Sequence, residues 1–335
     1  MHAQPARPRR LAIGVAAALI LAGVATVAVA VTRDDRPGNG SAAGRSPVGT
    51  APPAGTGPSA PAGSRPAGPG GRGTATACGP WGCDQERRLA AAAALLRTRP
   101  GLLGITVLDR RTGAVWTAGT DAHRMWASST PKLALATGLL ERAHAGELSL
   151  DSTARAQIDA MLAVSDDAAA DALWDRFGGA ALLPRLRDRY GMTGLDFVPG
   201  FPRRWGFLKC STADLRRLMT YVLTRLDPSD REHVLTEMRH VGRIQHWGVW
   251  AAGPLRQPGT KDGWSVEYDA GRRHWCTSSV GFAGRAERYV IAVMDDLPPG
   301  AGLDAGVHAV SDVVATVFGA AVPAPVTVPA ESTGR

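Results

Sequence analysis

Ser129 and Lys132 stand three residues apart in the stretch MWASSTPKLALATGLLERA, residues 125–143. Pro131 lies between them, and proline is well tolerated in the first turn of a helix. Ser128 or Ser129 can cap that helix, and Ser129 and Lys132 then share one face, with the lysine amine in reach of the serine oxygen. A serine hydroxyl is a weak nucleophile until a neighbouring base takes its proton. A desolvated lysine is such a base, and a helix N-terminus favours the negative charge that develops.

Lysine is scarce enough here for each one to carry information. Among 38 Lys and Arg side chains only three are lysines, Lys132, Lys209 and Lys261. An ammonium can lose its proton on burial, whereas a guanidinium effectively cannot. Lys261 falls in a second short motif, Lys261-Asp262-Gly263-Trp264, at the opening of an expected strand. Between the two lysine motifs, Ser165-Asp166-Asp167 separates two helical stretches. Lys209 reads as a solvated residue just ahead of a helix. Each motif taken alone has a structural reading: a capping serine with a surface lysine, a helix cap with acidic first-turn residues, and a turn into a strand.

Taken in order, S-x-x-K, S-D-x and K-x-G on a late strand resemble the penicillin-binding and class A β-lactamase superfamily, in which S-x-x-K, S-D-N and K-T-G share one active site. The likeness covers about residues 84–320 and is nearest to the extracytoplasmic β-lactamase-like serine hydrolases of actinobacterial type. It implies that Ser129 is acylated, that Lys132 accepts or relays its proton, and that Ser165 passes a proton to the leaving group. Lys261 would hold Ser165 and a substrate carboxylate, and Gly263 would let the strand approach the ligand. The backbone N–H groups of Ser129 and Trp264 would form an oxyanion hole. No cofactor or metal is implied.

The pattern breaks at two positions. Asp167 stands where the family has asparagine, and Asp262 where it has threonine or serine, so both are expected to bring a carboxylate to the substrate. A carboxylate beside Lys132 favours the protonated amine and makes it a poorer base, unless Asp167 itself takes the proton. The loop GLDFVPGFPRRWGF has Asp196 as its one carboxylate and no E-x-x-N, which argues for slow deacylation. The rival to a working hydrolase acting on a β-lactam or cell-wall peptide is a catalytically weak relative that binds cell-wall fragments or a partner protein.

The elements that must position these residues follow from periodicity. DQERRLAAAAALLRTRP reads as a helix with Asp84 as cap, and GLLGITVLDRRTGAVWTAG as two strands about a turn at Arg111-Thr112-Gly113. Four or five helical segments fill about 130–241, strands return near Gly259 to Val266, at HWCTSSVGF and at RYVIAVMD, and a helix from Asp304 to Phe318 closes the pattern. Strands, helices, then strands predict an α+β fold of β-lactamase/transpeptidase-like type, its antiparallel sheet built from both ends of the chain around an inserted all-helical lobe.

The 335 residues are 44% hydrophobic and 20% charged, enough for a sizeable core. The net charge of +8 is scattered, without the basic runs or aromatic interleaving of a nucleic-acid binder. Organisation is expected as a basic cytoplasmic tail (1–10), a transmembrane anchor or signal segment (11–31), a disordered Pro/Gly/Ala/Ser linker (32–76), the hydrolase-like domain (77–322) and a flexible tail (323–335). Three arginines ahead of residue 11 place the domain outside the cell, anchored by the membrane segment or secreted after its cleavage. It is expected to act as a monomer.

The four cysteines, all on the exported side, allow three pairings. A local Cys78–Cys83 loop would leave Cys210 with Cys276. Without histidines at ligand spacing, no zinc site is expected.

Overall fold

The computed structural model describes residues 78–269 and 271–330. The expected membrane segment and linker lie outside them. Among the described residues no helix is long and apolar enough to cross a membrane.

The described residues open with α1 (Cys83–Leu96), then run through β1 (Leu102–Asp109), β2 (Val115–Gly119) and the two-residue β3 (Met125–Trp126). The helical lobe follows: α2 (Pro131–His144), α3 (Ser152–Ala163), α4 (Asp167–Phe177), α5 (Leu183–Asp188), α6 (Thr212–Arg225) and α7 (Pro228–Arg239), with short strands β4 (Asp196–Phe197) and β5 (Leu208–Cys210) before α6. The chain returns through β6 (Gly259–Asp269), β7 (Arg272–Ala283) and β8 (Tyr289–Asp296) to α8 (Leu303–Phe318). The main sheet has the order β2-β1-β8-β7-β6, every neighbouring pair antiparallel. It is thus joined from both ends of the chain, as the order of patterns predicts.

Strand alternation divides the core in two. Val280, Phe282, Val290, Ala292 and Met294 point into the helical lobe, where they meet Leu133, Leu215 and Met219. Ile105, Val107, Trp275, Ile291 and Val293 point the other way, against Leu89 and Leu96 of α1 and Val307, Val310 and Val314 of α8. β6 pairs on one side only, so its free edge borders the lobe.

The helix starts follow local chemistry. Asp151 accepts from Ala154 N at 2.8 Å ahead of α3, and Asp166 from Ala169 N at 2.8 Å ahead of α4. Ser211 and Asp214 form a reciprocal capping box on α6. Two expected caps are corrected. Gly82, not Asp84, stands at the cap of α1, and Asp84 lies within the first turn; Thr130, not Ser128 or Ser129, occupies the cap of α2. The apolar runs identify both helices, but the caps depend on how the preceding turn closes.

Cys78 and Cys83 form a disulfide. Cys210 and Cys276 are both buried and free, so the second pairing is not made. The segment expected as a free tail from residue 323 instead packs on the domain through residue 330: Ala324 is 2% exposed and its N–H donates to Asp312 Oδ1 at 2.8 Å. Thr327 N donates to His246 O at 3.1 Å.

Because the capping box anchors α6 beneath β1 and β8, Ser211→Ala is expected to destabilise the domain by about 1 kcal/mol. Urea unfolding measures this, and an unchanged midpoint would mean that the box is redundant with tertiary packing.

Candidate active site

β3 leads into α2 through Ala127 and two serines. Ser128 has φ 49°, in the left-handed region that side chains avoid, and its hydroxyl meets that of Ser265 on β6 at 2.7 Å. Thr130 Oγ1 donates back to Ala127 O at 2.7 Å. Strain of this kind persists only where the surroundings hold it. Here it turns the backbone so that the N–H of Ser129 faces β6. A Cβ on Gly263 would stand 2.5 Å from Ser129 N and 3.0 Å from Thr130 N, so only glycine permits this approach.

Ser165 lies between α3 and α4, also left-handed at φ 61°. Lys132 donates to Ser165 O at 2.6 Å and to Ser165 Oγ at 3.3 Å; Lys261 donates to the same Oγ at 2.9 Å. Both lysines are fully buried. The structure therefore brings Lys132, Ser165 and Lys261 together, with Ser129 one helical turn from Lys132 and Gly263 against its amide.

The two amines have different surroundings. Lys132 makes an ion pair with Asp167 Oδ1 at 2.5 Å and lies 4.4 Å from the centre of the Trp205 ring. Lys261 donates to Gln245 Oε1 at 2.9 Å and to Asp262 O at 2.7 Å. Burial pushes the Lys261 amine well down from its ordinary value, and the Lys132 charge pushes the same way. Asp262 and Asp167 pull it back up.

Asp262 is corrected as a substrate contact. Strand alternation puts Lys261, Gly263 and Ser265 on the lobe face of β6 and Thr260, Asp262 and Trp264 on the opposite face. Asp262 is fully buried there, with Oδ1 accepting from Thr260 Oγ1 and Ser279 Oγ, both at 2.6 Å. Burial pushes its carboxyl up to about 7, opposed by the hydrogen bonds from Ser279 and Thr260 and by the Lys261 charge. The Trp264 side chain also points away, edge-on to Trp247 at 6.1 Å between ring centres, leaving only its backbone for the cleft.

Lys209 is not simply solvated. It sits on β5 and pairs with Asp269 Oδ1 at 2.8 Å, and Trp126 Nε1 donates to Asp269 Oδ2 at 2.9 Å. This contact fastens β3, which leads to Ser129, to the end of β6. Asp196 is half exposed, its Oδ2 3.7 Å from Arg187.

Two residues of the site carried no sequence signal. Gln245, fully buried in a short 3-10 turn, accepts from Lys261 and from Asp262 N while donating to Leu162 O and Ala163 O, both at 2.8 Å. It thereby ties β6 to the end of α3, just ahead of Ser165. Trp205 is the loop residue over Lys132, and its Nε1 donates to Asp171 Oδ1 at 2.9 Å.

Solved structures with the same arrangement of elements complete the description. PBP-A superposes with a TM-score of 0.58 at 20% identity, over 70% of this chain and 95% of that one. A β-lactamase from Xanthomonas campestris pv. campestris gives 0.58 at 20% identity, over 70% and 97%. The fold is that of the class A β-lactamases. At this identity the likeness is one of fold.

No family model matches the chain. Proteins named "Putative lipoprotein LppW" from Mycobacterium tuberculosis and Mycobacterium bovis are 30% identical over 207 residues, 59% of this chain. The match spans 63% of the length of those relatives.

Asp262 generates a pH prediction. With its folded value raised from 3.8 to about 7, the folded state holds a proton that the unfolded state has lost, so stability falls as pH rises across that window. Asp262→Asn removes this contribution. Its melting temperature relative to the parent should therefore increase from pH 5 to pH 8, measured by thermal scans. Asp295, also raised to about 7 by burial, acts equally in both proteins. A difference independent of pH would show that Asp262 does not titrate in that range.

Proposed function

We propose that this protein is an exported serine hydrolase or acyltransferase that forms an acyl-Ser129 ester on an amide such as a β-lactam or a cell-wall peptide, and releases it slowly. The observation that carries this reading is the Ser165 hydroxyl held between the amines of Lys132 and Lys261, beside α2, just ahead of whose cap Ser129 stands.

In the proposed reaction Ser129 Oγ attacks the amide carbon while its proton passes to Lys132. The developing oxyanion is received by the N–H groups of Ser129 and Trp264, a donor pair of the kind that contributes on the order of 3 kcal/mol per donor to the barrier. Collapse breaks the C–N bond as Ser165 Oγ–H protonates the leaving nitrogen. Ser165 regains its proton from the lysine that took that of Ser129, so the step closes with an ester, a free amine and the amines as they began.

Slow release follows from the loop. Deacylation needs a base that activates water. The loop's Asp196 faces Arg187, and the loop residue over Lys132 is the indole of Trp205. Export is supported by the basic and apolar order of the N-terminus and by the lipoprotein name of the curated relatives.

Intact-mass spectrometry with a penicillin, a cephalosporin and a D-Ala-D-Ala-type thioester tests the reading. A persistent adduct is expected with one or more of them, and none in Ser129→Ala. No adduct and no turnover in folded protein would favour the binding-module alternative.

A second expectation concerns Asp167, whose carboxylate lies 2.5 Å from the Lys132 amine; a carboxylate so placed works against Lys132 accepting the Ser129 proton. Asp167→Asn should raise the acylation rate at neutral pH by roughly tenfold, by shifting the Lys132 amine toward its neutral form. Stopped-flow acylation across pH reads this. A rate reduced a hundredfold would instead make Asp167 the proton acceptor.

A further inference from the structure

At the far end of the sheet from Lys261, three side chains with metal-binding chemistry meet on one face. His274 and Cys276 are two residues apart on β7 and so point the same way. Asp296 on β8 is the direct partner of Cys276 in the strand register. A ring nitrogen of His274, the Cys276 sulfur and a carboxylate oxygen of Asp296 all lie within 4.8 Å of one another. This combination of thiolate, imidazole and carboxylate is the ligand chemistry of zinc.

The surroundings point to a ligand. Asp296 is 8% exposed, and its Oδ1, buried, accepts no hydrogen bond among the described residues. An unsatisfied buried carboxylate oxygen is costly, and a bound cation would relieve that cost. Cys276 is fully buried, with its sulfur within 4.8 Å of a carboxylate oxygen of Asp296. His274 Nε2 lies 3.6 Å from Asp269 Oδ2 and its Nδ1 3.4 Å from Arg272 O. Nδ1 thus has an oxygen partner when Nε2 binds metal, the arrangement that orients ligating imidazoles. The nearby positive charge of Lys209 is already engaged by Asp269. His274 and Asp296 line an open cleft of about 510 Å³, which gives an ion a path from solvent.

We propose that His274, Cys276 and Asp296 form a zinc site separate from the Ser129 site. Ligand bonds of about 2.0–2.3 Å require the three donors to draw together slightly, within reach of side-chain rotation at the cleft edge. Binding exchanges the Cys276 thiol proton, released to solvent, for a sulfur–metal bond, and oxidation states do not change. The fourth position is left to water on the cleft side. The site would tie β7 to β8 at the end where Lys209 and Asp269 join the two sheets.

Cobalt replaces zinc as a visible probe. Chelator-treated full-length protein titrated with Co²⁺ should show one equivalent of tetrahedral-type visible absorption with a thiolate-to-cobalt band in the near ultraviolet, bleached by Zn²⁺. Cys210→Ser should keep the near-ultraviolet band and Cys276→Ser should lose it. His274→Gln and Asp296→Asn should weaken Co²⁺ binding at least tenfold, which keeps the test open if the buried cysteine variant fails to fold. Absence of the band in folded parent protein would overturn the site. So would a band that survives Cys276→Ser or is lost in Cys210→Ser, or binding unchanged in both other variants.

Discussion

Two lysine side chains, both removed from solvent, converge on one serine hydroxyl, and most of the candidate site can be understood as the accommodation of that fact. Two ammonium groups around a single oxygen repel each other in a medium that screens poorly. The arrangement holds because the pair is treated asymmetrically. Lys132 receives the Asp167 carboxylate at 2.5 Å, while Lys261 receives neutral oxygens from Gln245, Ser165 and the Asp262 carbonyl. Burial and the neighbouring charge therefore drive Lys261 toward the neutral form. An amine that differs from its partner in proton affinity gives the hydroxyl between them a direction along which a proton can move.

That asymmetry depends on structure some distance from the cleft. The left-handed backbone at Ser128 and Ser165 is imposed by contacts on either side, the Ser128–Ser265 hydrogen bond on one and the two lysines on the other. Gly263 sets how near β6 comes to the Ser129 amide. Gln245 fixes β6 against the end of α3 with hydrogen bonds in both directions, so that Lys261 and Ser165 keep their register. β6 can serve as this platform because one of its edges stays unpaired.

The parts legible in the sequence were those that repeat or alternate. The apolar periods located the two terminal strand groups and the lobe, and the order of the three motifs located Ser129, Lys132, Ser165 and Lys261. Alternation also contained the answer to Asp262: a residue between Lys261 and Gly263 on a strand must face away from both. Gln245 and Trp205 were not legible, because a lone glutamine in a 3-10 turn and a loop tryptophan have no period to stand out from. The same applies to Asp296, whose meaning comes from the strand opposite.

The two aspartates that depart from the family pattern illustrate why residue type alone misleads. By substitution they are alike, each replacing a neutral polar group with a carboxylate. By position they are opposite. Asp167 is more than half exposed at the start of α4 and spends its charge on Lys132, so it bears directly on the proton affinity of the site. Asp262 is sealed behind the strand among hydroxyls and is driven toward its neutral form, in which state it serves the sheet much as a threonine would. For the proposed reaction the departure that matters is therefore single, and it acts on the proposed base Lys132 while leaving the Lys261 face of β6 unchanged.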